Sequence, residues 1–249
     1  MPAPPALHDL ACVVHLHSNY SDGTGTVAEI AAAARRTGAD VVLLTDHDTL
    51  EAKHRGEEGW HDGVLVLVGE EVSPKPGNHY LAFDIEREID HRGLSARQIC
   101  DAVRAAGGFG FAAHPFSRGS PLSKRAPVMP FDDLECEALG GIEVWSLATD
   151  IGEGIERIGQ LVHFLARPER VLDHPPAENL REWDRLCQGR RIVGIGGLDA
   201  HQYGLRIGRF VPLRVMAYHR SFRHIRTHVL CDEPPARGEP ERAREQVYA

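Results

Sequence analysis

The sequence lacks any apolar run approaching the roughly 20 residues of a membrane span. Its opening, MPAPPALHDL, lacks the charged start and apolar stretch of a secretory signal. A disulfide framework is missing too. The five cysteines, at 12, 100, 136, 187 and 231, are odd in number, widely spaced and without a C-x-x-C pair. These absences predict a reduced, soluble, cytoplasmic protein with free thiols and no membrane partner. Basic charge is in deficit: 28 Lys and Arg stand against 36 Asp and Glu, a formal net charge of -8. That removes the broad positive field needed by duplex nucleic acid or an anionic bilayer. A small anionic substrate stays open, because bound cations would reverse the local sign. There is no G-x-S-x-G turn and no cysteine in a recognisable nucleophile setting, so covalent catalysis has no support.

What is present is a 249-residue chain, 42% hydrophobic, long enough for one large domain. The expected division is a loose Pro-rich tail over 1–10, one domain over 11–231, and a polar tail over 232–249 with room for a short helix at its end. Apolar runs predict strands at Ala11–His15, Val41–Thr45, Val64–Gly69, Tyr80–Ile85, Phe109–Ala113, Gly141–Trp145 and Ile192–Gly196. Helical spacing marks Thr26–Thr37, Leu50–Glu57, Ser95–Ala106, Ile155–Ala166 and Ala177–Gln188, with a weaker segment near Asp132–Ala138. Near-uniformly apolar strands separated by helices predict an α/β fold with a parallel sheet, closed or nearly closed into a barrel.

Almost every predicted strand runs into a histidine or a carboxylate. ACVV leads to His15 and His17, VVLLT to Asp46 and His47, and VLVLVG to Glu70 and Glu71. FGFAA leads to His114, Glu143 lies inside GGIEVW, and IVGIGGL leads to Asp199 and His201. In a parallel barrel such ends converge on one face, where active sites are built. Imidazole plus carboxylate without thiolate suits divalent zinc, manganese or iron. Residues two apart on a strand share a face, so His15 and His17, and likewise Asp199 and His201, are expected to bind one ion as pairs. Any one of these short motifs alone reads more simply as a loop or a strand end; it is their joint occurrence that points to a metal cluster.

The motifs VHLHSNYSDG, LTDHDT, GEEVS, AHPF, GIEVW and GLDAH, in this order from His15 to Leu230, resemble the PHP (polymerase and histidinol phosphatase) family. The resemblance implies a distorted (β/α)7 TIM-like barrel and two or three divalent ions, Zn, Mn or Fe. It assigns His15, His17 and Asp199 to a first ion, with Glu71 bridging to a second; Glu70 is the weaker candidate for the bridge. His79 and His114 complete the second ion. Asp22, His47 and His201 resemble ligands of a third. The finer texture of EEGWHDGVLVLVGEEVS and SFRHIRTHVL resembles a carbaryl-hydrolase-like branch, and TDHDT resembles small phosphoesterases. The last barrel element is expected to be short or absent.

The implied activity is hydrolysis of a small phosphorylated metabolite, nucleotide or oligonucleotide by a metal-bridging hydroxide. The same centre would serve a carbamate, amide or ester, and a non-catalytic metal-binding module is a third reading. In PFSRGSPLSKRAP, Arg118 and Lys124 are candidate contacts for the substrate phosphate, Arg125 adds to the local basic charge, and Arg206 is a further candidate of similar weight. The alternative for all of them is an ordinary solvated loop. Asp46 is expected to orient a histidine, and Glu143 to sit near the substrate or anchor a supporting hydrogen bond.

Overall fold

The computed structural model describes residues 7–121, 127–155, 157, 159–160, 174–202, 204–207, 210–214 and 216–249; for 204–207 and 210–214 it describes the backbone. The Pro-rich start, Lys124, Arg125, most of the helix expected over Ile155–Ala166, and the Arg206 side chain lie outside the described residues.

Eight strands form one curved path: β11 (Thr227–Cys231), β1 (His8–Val14), β2 (Val41–His47), β4 (Val64–Val72), β5 (Tyr80–Phe83), β6 (Phe109–Ala112), β7 (Gly141–Ser146) and β8 (Val193–Gly197). A short β3 (Gly59–His61) flanks β4, and β9 (Gly204–Ile207) with β10 (Phe210–Arg214) makes a separate hairpin. The path bends back on itself. Leu198 N–H donates to Val14 O at 2.9 Å and His17 N–H to Ala200 O at 3.0 Å, joining the end of β8 to the end of β1. Below that seam Thr227 Oγ1 bonds both the N–H and the C=O of Gly196, so β11 fills the gap. The result is an α/β fold with a nearly closed barrel.

Two strands of the path depart from the expected parallel order. β11 is antiparallel to β1, and β5 is antiparallel to both β4 and β6. The second departure matters to the site, because it is the first residues of β5, not its last, that lie level with the carboxyl ends of β4 and β6.

Alternation along the strands builds two apolar layers. Cys12, Val14, Val41, Leu43, Leu65, Leu67, Leu81 and Phe83 fill the barrel. Val13, Val42, Leu44, Val64, Val66 and Val68 face outward. Against them pack α1 (Val27–Thr37) and α3 (Ala96–Ala105). Both helices open with a capping box, Thr26 with Glu29 and Ser95 with Gln98, each worth about 1 kcal/mol. The other described helices are α2 (Glu51–His54), α4 (Leu147–Gly154), α5 (Ala177–Cys187), α6 (Tyr218–Ser221) and α7 (Pro240–Tyr248). The segment near Asp132–Ala138 forms turns instead of a helix.

Residues 232–249 were expected to be a polar tail with room for a short helix at its end, and that helix forms as α7. In the structure α7 buries Ala243 and Val247, four apart on one face, in the inner layer with Cys12 and Phe83. Tyr248 packs against Phe83 at a tilt and edge-on against Phe109. The helix therefore closes the end of the barrel floored by Phe83 and Phe109.

Candidate metal centre

Strand parity decides which acidic residue enters the centre. Leu65 and Leu67 point inward, so Gly69 and Glu71 follow them; Glu70 shares the outer face with Val66 and Val68. Glu70 accordingly accepts the Ile89 N–H at 2.7 Å, and burial pushes its carboxyl up to about 8. In β2 the same rule sends His47 inward and Asp46 outward. Asp46 does not orient a histidine as expected: its oxygens accept from Ser18 N–H (2.7 Å), Ser18 Oγ (2.6 Å) and Ser21 Oγ (2.6 Å). It shapes the loop that delivers Asp22.

The H-x-H pair is not on a strand. β1 ends at Val14, and His15 has φ +61°, in the left-handed region. His114 (φ +30°) and Asp199 (φ +47°) also have positive φ. Such backbones cost about 1–3 kcal/mol each and persist only where surroundings over-determine them. The expected reason for pairing, two residues on one strand face, is replaced by a sharp turn at each strand end.

All nine expected donors converge in three overlapping groups, each with its ligand atoms within 4.8 Å of one another. His15, His17, Glu71 and Asp199 form one; Glu71, His79 and His114 the next; His17, Asp22, His47 and His201 the third. Glu71 belongs to two groups and so does His17, which stacks between His47 and His201 at 4.2 and 4.1 Å. His79 reaches the cluster because it opens the antiparallel β5; its Nδ1 lies 2.9 Å from Glu71 Oε1.

Neighbouring groups fix which imidazole nitrogen faces the centre. His15 Nδ1 donates to Glu143 Oε1 at 2.9 Å, turning Nε2 inward. His47 Nδ1 donates to Ser73 Oγ at 2.7 Å, while Ser73 in turn donates to Glu71 O. His201 Nδ1 donates to Asp199 O at 2.9 Å, with Nε2 3.1 Å from Asp22 Oδ1. Glu143 is fully used: its Oε2 accepts the His114 N–H at 2.7 Å.

His15 Nε2 and Glu71 Oε2 lie 3.3 Å apart, both fully buried, and neither has a hydrogen-bond partner. Two such lone-pair atoms facing each other fit a divalent cation held by nitrogen and oxygen. The charge balance agrees. Burial opposes charge on both, yet Glu143, Glu71 and Asp199 hold His15 well above the usual imidazole range, and His15 and His79 hold Glu71 well below the carboxylate range. His201 is likewise raised, to about 9, against burial, by Asp199 and Asp22. His17 goes the other way, to about 4, through burial and the neighbouring His201 and His47.

Arg118 is placed beside His114, on the wall of the adjoining pocket. Its guanidinium is already held, by Glu153 at 3.1 Å and Glu178 at 2.9 Å. Sequence reasoning missed three supports: Ser73; the Ser18 and Ser21 pair; and Tyr218, whose hydroxyl donates to His17 O at 2.7 Å and accepts from Gly25 N–H. None carries a local motif, since each acts on a residue distant in sequence or through its backbone.

A nearly closed α/β barrel with histidines and carboxylates gathered at one rim defines a protein with a centre built for divalent cations. Residues 14–167 match the PHP domain model, more than half of the chain, and the protein belongs to the PHP domain family. Among relatives, an uncharacterised protein of Methanocaldococcus jannaschii is 28% identical over 149 residues, covering 53% of this chain and 80% of that protein. The phosphoribosyl 1,2-cyclic phosphate 1,2-diphosphodiesterase of Eggerthella lenta is 32% identical over 95 residues, covering 37% of this chain and 33% of that enzyme. A two-domain protein containing a predicted PHP-like metal-dependent phosphoesterase, from Bacteroides vulgatus, superposes with a TM-score of 0.55 at 19% identity. That match covers 97% of this chain and 64% of the Bacteroides chain and establishes likeness of fold. Among the described residues no helix is long and apolar enough to cross a membrane.

Proposed function

We propose that the protein is a metal-dependent phosphoesterase acting on a small phosphorylated metabolite, nucleotide or oligonucleotide. The observation that carries this reading is the sharing of Glu71 and His17 between adjacent donor groups. Shared donors set ions side by side, the arrangement suited to in-line displacement at phosphorus. Family membership and the phosphodiesterase relative from Eggerthella support the same chemistry.

In this reading His15, His17, Glu71 and Asp199 hold one ion, His79 and His114 a second with Glu71, and Asp22, His47 and His201 a third. Bound divalent ions supply charge neutralisation of the phosphoryl group and lower the pKa of attacking water toward neutrality. The chain's own groups do the rest. Glu143 fixes the His15 tautomer, Ser73 that of His47, and the Asp199 carbonyl that of His201. Asp46 holds the Ser18–Ser21 turn so that Asp22 faces His201 and His47. Arg118 and Arg206 remain candidate contacts for substrate, Arg118 only if substrate displaces a glutamate.

The carbaryl-hydrolase-like resemblance makes a carbamate the natural contrast. Metal-stripped protein, reloaded with Mn²⁺ or Zn²⁺, would be assayed on p-nitrophenyl phosphate, bis-p-nitrophenyl phosphate and a naphthyl carbamate. Turnover of a phosphate ester, lost with chelator and restored by metal, is expected. Turnover confined to the carbamate overturns the proposal, and a metal-replete protein inert to all three points to a binding module.

A further inference from the structure

Next to the donor cluster the fold builds a small pocket. His114 and Glu143 belong to its metal-side wall, and Arg118, Glu153 and Glu178 also line it. Asp150, from α4, projects into the same pocket. Its Oδ2 is buried and has no hydrogen-bond partner.

The other carboxyls near the site are already engaged. Glu143 accepts from His15 and from the His114 backbone. Glu153 takes both the backbone N–H and the Nε of Arg118, and Glu178 takes its Nη1. Asp46 lies on the opposite face of β2, spent on two serines. Asp150 alone among these five lines the pocket with a buried carboxylate oxygen that has no partner.

We propose that Asp150 is the catalytic acid, giving its proton to the departing oxygen from the wall of this pocket. The assignment rests on the phosphoesterase reading. The P–O bond to the leaving group breaks, and the departing oxygen takes the Asp150 proton and leaves as a neutral alcohol. Water delivers hydroxide to phosphorus and releases its other proton to solvent. Solvent returns one proton to the Asp150 carboxylate, so the cycle balances.

The pocket's charges suit that role. Burial first, then Glu153 from its own helix and Glu143 from β7, raise the Asp150 carboxyl to about 7, against the opposite pull of Arg118 from the loop after β6. Glu178 of α5 ties up Arg118 and blunts that pull. A carboxyl titrating near neutrality is matched to proton donation at the same pH. The pocket's charged lining is acidic apart from His114, a metal-ligand candidate, and the paired Arg118, so the leaving group it accommodates is a neutral or cationic alcohol, not one bearing a second phosphate.

The test pairs two esters with one isosteric variant, Asp150→Asn. p-Nitrophenolate departs without help, whereas a simple alkyl oxygen, as in glycerol phosphate, needs a proton. On the alkyl ester the variant should lose about 100- to 10,000-fold in kcat, with the change on p-nitrophenyl phosphate within about 3-fold. Wild-type kcat on the alkyl ester should fall above pH 7, a limb absent from the variant. Independently of turnover, carbon-13 NMR of aspartate-labelled, metal-free protein should show a carboxyl titrating near neutrality that Asp150→Asn removes. Equal losses on both esters, or an Asp150 carboxyl ionised below pH 5, overturn the assignment while leaving the phosphoesterase reading intact. Wild-type protein that cleaves neither these monoesters nor bis-p-nitrophenyl phosphate refutes that reading, and the assignment with it.

Discussion

Gly197→Ala tests the centre without touching a donor. Gly197 ends β8 beneath the Glu143 carboxylate. A methyl there would sit 2.8 Å from Glu143 Cδ and 3.0 Å from His15 Cβ, and would overlap Glu143 Oε1 outright. The carboxylate has to retreat by about 1.5 Å to reach van der Waals distance. That stretches its 2.9 Å bond from His15 Nδ1 beyond hydrogen-bond range. Losing such a partner of a metal-binding histidine costs about 10- to 100-fold in affinity, or about 1.4–2.7 kcal/mol. Competition for Zn²⁺ against a fluorescent chelator would measure it on metal-stripped protein. Glu143→Gln should lose a similar amount, and the double variant little more than either alone, because both break one bond. Gly189→Ala, with open space around it, should bind as wild type. Wild-type affinity in Gly197→Ala, or additive losses in the double variant, would refute the coupling through Glu143.

His15→Ala should lower metal content and abolish most turnover while the chain stays folded, checked by elemental analysis, kinetics and circular dichroism. Glu71→Gln should disrupt two donor groups and lose metal, whereas Glu70→Gln, on the outer face, should keep full metal content by the same analysis. Tyr218→Phe removes the hydroxyl held by His17 O and Gly25 N–H and should cost about 0.5–1.5 kcal/mol in urea unfolding. Asp150 has a folded-state pKa of about 7, above its unfolded 3.8. Its ionisation therefore opposes folding increasingly as pH rises between those values. Asp150→Asn should gain thermal stability over wild type at pH 8 and show no such gain at pH 4; an equal difference at both would be contrary.

Much of the centre was legible because its donors lie at the ends of apolar runs, and the barrel gathers those ends. The choice between Glu70 and Glu71 was also readable, since period-two alternation from Leu65 puts only Glu71 inside. Three things were not. The left-handed backbone at His15 arises from the seam between β1 and β8, a pairing nearly 185 residues apart that no local pattern encodes. The reversal of β5 depends on its neighbours, since an apolar run such as Tyr80–Phe83 carries no direction; only the histidine just before it hinted at it. The neutralisation of Arg118 by Glu153 and Glu178 joins three segments, so a basic loop in sequence became a balanced one in space. The terminal helix was underestimated because two small apolar residues four apart, Ala243 and Val247, are a faint signal among charges.

The strained turns at His15, His114 and Asp199 set function against stability in this chain's evolution. Glycine or asparagine at any of the three would relax the backbone while deleting a donor. Loss-of-function drift at these positions is therefore downhill for the fold. A lineage released from selection for catalysis should accumulate such replacements first, leaving a sturdier barrel with an empty rim. Glycine at His15 should accordingly melt above alanine there when both are metal-free.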